Sequence, residues 1–121
     1  MIAIYGIKNC DTMKKARAFL DQRGIAYVFH DYKVEGIAKD KLQEWIGKVG
    51  WEKLLNRAGT TFKKLPEAER QDLTEAKAIA LMLAQPSMIK RPVLEAGATL
   101  LVGFDATAYE GVAGSAGRGR D

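Results

Sequence analysis

The chain has 121 residues, 19 Lys+Arg against 15 Asp+Glu, and a formal net charge of +4. With 47% hydrophobic and 28% charged residues, it has the composition of one globular domain, which excludes a disordered chain and leaves little room for two domains. No apolar run approaches the roughly 18 residues of a membrane-spanning helix, the opening MIAIYGIKNCDTMKK lacks the pattern of a secretory signal, and the mild, dispersed positive charge fits an anionic small molecule without demanding nucleic acid.

Ile2–Tyr5 is a short apolar run and predicts a buried strand. Gly6–Cys10 has loop composition. A helix starts at Asp11 or Thr12, with Met13, Ala16 and Leu20 at helical spacing. Gly24 is placed to end it in a left-handed conformation. Ile25–His30 reads as a second strand, apolar on both faces as a central parallel strand would be. Strand, helix and strand then form a right-handed βαβ unit. Leu42, Trp45, Ile46 and Val49 mark a further helix, interrupted at Gly50 and followed by a short turn or helix over Trp51–Leu55. Asn56–Lys64 reads as a loop, and Pro66 suits the first turn of a short helix. Leu73, Ala76, Ala80 and Leu83 mark a longer helix that stops before Pro86. Val93–Glu95 and Thr99–Val102 are two strands separated at hairpin distance, and Asp105–Tyr109 predicts a final short helix. The remainder, Gly111–Asp121, is GVAGSAGRGRD; with five glycines and serines it reads as a flexible tail, so that the domain covers 1–110. No internal repeat occurs. The order gives an α/β chain with a thioredoxin-like fold: a four-stranded mixed sheet with flanking helices and an inserted helical subdomain at about 36–85.

Cys10 is the one cysteine. It cannot form an internal disulfide, and with His30 as the single histidine it falls short of a zinc site. A lone thiol suits a reducing, cytoplasmic compartment. Its place, between the first strand and the first helix, has chemical meaning. The first-turn amides of a helix lack internal partners and its dipole adds partial positive charge, so a thiolate is stabilised there. Free cysteine is commonly a small buried hydrophobe, but here the neighbours are Lys8, Asn9, Asp11 and Thr12. Lys8, Lys14 and Lys15 favour the anion and Asp11 opposes it. Asn9 reads as a helix cap or as an orienter of the thiol. A CxxC pair would need cysteine at position 13, which is Met13, so any mixed disulfide must be resolved by an external thiol. His30, Trp45 and Trp51 read as structural.

Three blocks, IYGIKNCDTMKKA (Ile4–Ala16), NRAGTTFKKL (Asn56–Leu65) and MIKRPVL (Met88–Leu94), resemble the arsenate-reductase-like branch of the thioredoxin superfamily, with most similarity to its Spx/YffB-type members. The resemblance covers about residues 1–110. It implies a nucleophilic cysteine at Cys10, with Arg57 and Arg91 as anion-binding arginines. It also implies a cis bond before Pro92, which suits docking of an extended thiol peptide. The third arginine of arsenate reductases would fall near Gly103, in LLVGFD, which has none. No histidine occurs in Tyr5–Asn9, where that family carries one. The expected function is therefore glutathione-dependent thiol reduction or transfer, an enzyme activity. Arsenate reduction and an Spx-like regulator that binds RNA polymerase are the alternatives. No bound cofactor or metal is expected, and glutathione or another small thiol is the co-substrate. The candidate binding residues are Lys8, Asn9, Thr12, Arg57, Arg91 and Pro92. Glutaredoxin is a further candidate partner, nucleic acid and membrane are not expected, and the chain is expected to be a monomer.

Overall fold

A computed structural model describes residues 2–118. The chain runs β1 (Ile2–Gly6), α1 (Asp11–Gln22), β2 (Tyr27–Asp31), α2 (Tyr32–Glu35), α3 (Lys39–Val49), α4 (Trp51–Leu54), α5 (Thr60–Lys63), α6 (Glu67–Arg70) and α7 (Glu75–Ala84). A 3-10 turn at Pro86–Met88 leads to β3 (Val93–Ala96), β4 (Thr99–Val102) and α8 (Ala106–Arg118). It divides into two compact units, one made of Met1–Asp31 with Arg91–Asp121, the other of Tyr32–Lys90.

The first unit holds the sheet, in the order β2-β1-β3-β4. β1 pairs parallel with β2 and antiparallel with β3, and β3 pairs antiparallel with β4. β2 therefore lies at an edge, not in the centre, and starts at Tyr27 instead of Ile25. Its residues are only partly covered, and Val28 is 43% exposed. The two apolar faces of that segment come from Ile25, which packs in the core below the strand, and from aromatic side chains half in water. Ala96 pairs with Thr99 across the two-residue connection Gly97-Ala98.

α1 forms because Met13, Ala16, Phe19 and Leu20 fall on one face, and all four are buried. They join Ile2, Ile4, Ile25, Leu94, Tyr109 and Val112 in one core. Each large apolar side chain so buried is worth about 1.5–3 kcal/mol against exposure. The helix ends in a Schellman arrangement. The Gly24 amide donates to the Asp21 carbonyl (3.1 Å) and the Ile25 amide to the Leu20 carbonyl (3.0 Å), with Gly24 at φ +65°. At the far end of the unit, α8 does not stop near Tyr109. Val112 lies in the core and the helix runs to Arg118, so Gly111, Gly114 and Gly117 of the expected tail are carried in helix. Positions 119–121 of that segment lie outside the described residues.

In the second unit, α3 buries Leu42, Trp45 and Ile46. α5 occupies part of the stretch expected to be loop, anchored by buried Phe62. α7 buries Ala78 and Met82, whereas Ala76 and Ala80 of the expected stripe are exposed. The sequence EAKAIALMLA is apolar nearly all round, so periodicity alone does not choose its inward face. Thr74 caps this helix, its hydroxyl accepting from the Lys77 amide at 3.2 Å. Within the unit, the segment after α4 is tied to the unit's last residues by an antiparallel bridge between Leu55 and Ile89. Flanking it, the Lys90 amide donates to the Leu54 carbonyl and the Asn56 amide to the Met88 carbonyl, both at 2.7 Å.

Candidate active site

After β1 the chain passes through buried Ile7 and exposed Lys8 and Asn9 to Cys10. Cys10, not Asn9, is the N-cap of α1. Its backbone is extended (φ −98°, ψ 133°) and its carbonyl accepts from the Lys14 amide at 3.0 Å. The placement follows from the sequence, because Ile4 and Met13 must both reach the core and Cys10 lies where strand gives way to helix. The sulfur is free and partly exposed. The Cys10 side chain makes no capping hydrogen bond of ideal geometry, yet the first-turn amides lie close enough to act on it. Partial burial raises the thiol pKa. The Met13 amide, a hydrogen bond from Arg91, the Thr12 amide and the charge of Arg91 act against this, and the net shift is below the ordinary thiol value. The cation that helps is thus the Arg91 guanidinium. Lys8, Lys14 and Lys15 are exposed, and neither they nor Asp11 is among the groups that set the shift.

Arg91 is held by its position in the chain. It immediately precedes β3, and its bond to buried Pro92 is cis. The Pro92 carbonyl accepts from the Gly103 amide at 2.8 Å, with Gly103 at φ +81°. The place near which the third arginine of arsenate reductases would fall is therefore a backbone tie in a conformation that an arginine would adopt only under strain.

In the first unit Thr12 and Arg91 act on Cys10, Pro92 follows Arg91 in the chain, and Lys8 and Asn9 are the exposed residues that precede the sulfur. Arg57 belongs to the second unit. There its guanidinium lies 3.8 Å from Glu52 and 5.6 Å from the centre of the Trp51 ring. His30 is stacked on Tyr5 with ring centres 4.6 Å apart, and the Tyr5 hydroxyl donates to Glu95 at 3.1 Å. This polar group on one sheet face had no signal in the sequence beyond the strand register that sets Tyr5 opposite His30. The Met13 and Thr12 amides, by contrast, are first-turn amides of the kind expected at the start of α1. Among the described residues there is no cluster suited to a metal ion, and no helix is long and apolar enough to cross a membrane.

The model of the ArsC family matches residues 5–112. The chain belongs to the ArsC family. A solved structure named YFFB (PA3664) protein is 61% identical, covers 93% of this chain and 98% of its own, and superposes with a TM-score of 0.89. The solution structure of an arsenate reductase (ArsC) related protein from Brucella melitensis is 59% identical over 91% of this chain and 92% of that one, with a TM-score of 0.75. A more distant relative is the global transcriptional regulator Spx of Streptococcus mutans, 22% identical over 87% of this chain and 77% of its own length. The expected α/β architecture, with a mixed four-stranded sheet and flanking helices, is that of the ArsC-family neighbours.

Proposed function

We propose that this ArsC-family protein is a cytoplasmic, glutathione-dependent thiol reductase or transferase acting through Cys10 alone. The observation that carries the reading is the Arg91 guanidinium at a partly exposed cysteine that starts a helix, which together favour the thiolate. The Cys10 thiolate attacks the glutathionyl sulfur of a mixed disulfide. One S–S bond breaks, a new one forms between Cys10 and glutathione, and the substrate leaves as its thiolate. A second glutathione thiolate then attacks the glutathionyl sulfur, giving oxidised glutathione and returning the Cys10 thiolate. The net exchange consumes one reduced glutathione: the mixed disulfide and glutathione give the substrate thiol and oxidised glutathione, and the attacking glutathione thiolate supplies the electron pair. Met13 in place of a second cysteine supports an external resolving thiol. Arg91 is suited to holding a glutathione carboxylate as well as the anionic sulfur. The family resemblance assigns Arg57 to a carboxylate too, with Lys8, Asn9, Thr12 and the Pro92 backbone as further contacts.

The test is incubation with oxidised glutathione followed by intact mass measurement and a peroxide-free disulfide-reduction assay. One glutathione adduct is expected, absent in Cys10→Ser, with turnover dependent on reduced glutathione. No adduct on the wild type would sink the reading. The Spx relative favours a second reading, a transcriptional regulator. That reading expects RNA polymerase to be recovered with the protein equally from wild type and Cys10→Ser. Arsenate offered in place of the disulfide tests the remaining family activity, with saturable turnover as its signature.

A further inference from the structure

Gly6, the last residue of β1, and Met13, in the first turn of α1, meet in the interior. A Cβ on Gly6 would stand 2.2 Å from Met13 Sδ, 2.9 Å from Cε and 3.1 Å from Cγ. These are distances at which one of the two must move. The outer thioether could turn aside if there were room, since methionine is flexible. But Met13 is wholly buried, and close-packed interiors leave few voids to receive it. Its Cγ, next to the backbone-bonded Cβ, is also in the way. The absence of a side chain at Gly6 is therefore what lets Met13 lie flat against the end of β1.

The same residue serves two ends. Its side chain is locked in the core, and its amide is one of the groups that favour the Cys10 anion. Cys10 is the N-cap and Asp11, Thr12 and Met13 are the first three residues of the helix, so the depth at which Met13 seats sets where the turn sits beneath the sulfur. We propose that Met13, seated on Gly6, is a positioning residue for Cys10, holding the first-turn amides of α1 toward the sulfur. This rests on the reading of Cys10 as the nucleophile. In it, position 13 supports the reactive sulfur instead of resolving its disulfide. A merely space-filling Met13 would affect stability and leave the thiol's acidity alone, and that difference can be measured.

The experiment is the rate of iodoacetamide alkylation of the full chain across pH, read beside thermal unfolding, for wild type, Gly6→Ala, Met13→Ala and the double variant. In Gly6→Ala the alkylation midpoint is expected to rise by about half a unit or more, with alkylation near neutral pH slowed about threefold. Met13→Ala removes the seat without a clash and is expected to raise the midpoint as well. With no thioether to meet, the Gly6 methyl should add no further shift in the Met13→Ala background. If Gly6→Ala does not fold, Met13→Ala and its midpoint decide the matter. Wild-type midpoints in Gly6→Ala or in Met13→Ala overturn the proposal while the nucleophile reading stands. An equal added shift from Gly6→Ala in both backgrounds also overturns it, since Gly6 would then act without Met13. An ordinary thiol midpoint in the wild type would sink the nucleophile reading and this proposal together.

Discussion

Arg91 and Arg57 come from sequence blocks of equal apparent weight, yet the two units give them different company. In the sheet unit, Arg91 leads into β3 and places its guanidinium on the Cys10 sulfur. In the helical unit, Arg57 follows α4 by a few residues, with Glu52 and the Trp51 ring beside it. A guanidinium next to a carboxylate already has an anion, although an exposed pair is held together only weakly. The difference teaches that a block match identifies a residue type, while the neighbouring charges decide what that residue can do.

The sharpest way to break this contrast is Arg91→Ala. It should raise the alkylation midpoint of Cys10 and lower glutathione-dependent turnover about tenfold, the usual scale for a charge-assisted hydrogen bond to the reacting group. The sign follows from the shift. With a thiol pKa below the ordinary value, wild-type reactivity is expected to persist as pH falls past the ordinary thiol range and to disappear only below the depressed pKa. Arg91→Ala should lose reactivity at a higher pH. The same linkage gives the folded state a contribution that is present above the unfolded thiol pKa and lost as pH falls through the folded one.

Arg57→Ala should leave the alkylation midpoint where it is and raise the KM for glutathione about threefold, within the range of one partly solvated carboxylate contact. An Arg57→Ala variant whose midpoint moves as far as that of Arg91→Ala would erase the distinction. The smallest effect belongs to Tyr109→Phe. The phenol is buried against Phe19 and Phe104 with no hydrogen-bond partner among the described residues, and burial pushes its pKa up. Its removal should change alkylation not at all and raise stability by up to about 1 kcal/mol in chemical denaturation, because an unpaired buried hydroxyl is a cost.

Local signals carried much of the sheet unit. The switch from apolar run to helical spacing placed Cys10 at the start of α1, Gly24 marked its end, and the gap between Val93 and Val102 fixed the hairpin. The edge position of β2 was not legible, since it depends on β3 entering on the other side of β1 from far along the chain. α5 was hidden because a four-residue helix has little propensity signal, and what holds it is the burial of Phe62. At the site, Cys10 could be placed from the strand-to-helix transition. The Arg57–Glu52 pair, spanning the end of α4, follows no simple helical spacing and had to be seen.

The split of the sheet unit has a consequence for biogenesis. β1, α1 and β2 are contiguous, but β3 can add to them only after the whole of Tyr32–Lys90 has been made and its ends brought together. Until then the sulfur lacks the guanidinium that favours its anion. A half-made or partly opened chain therefore carries a thiol without that support, and the anion is favoured by the guanidinium only once assembly is complete.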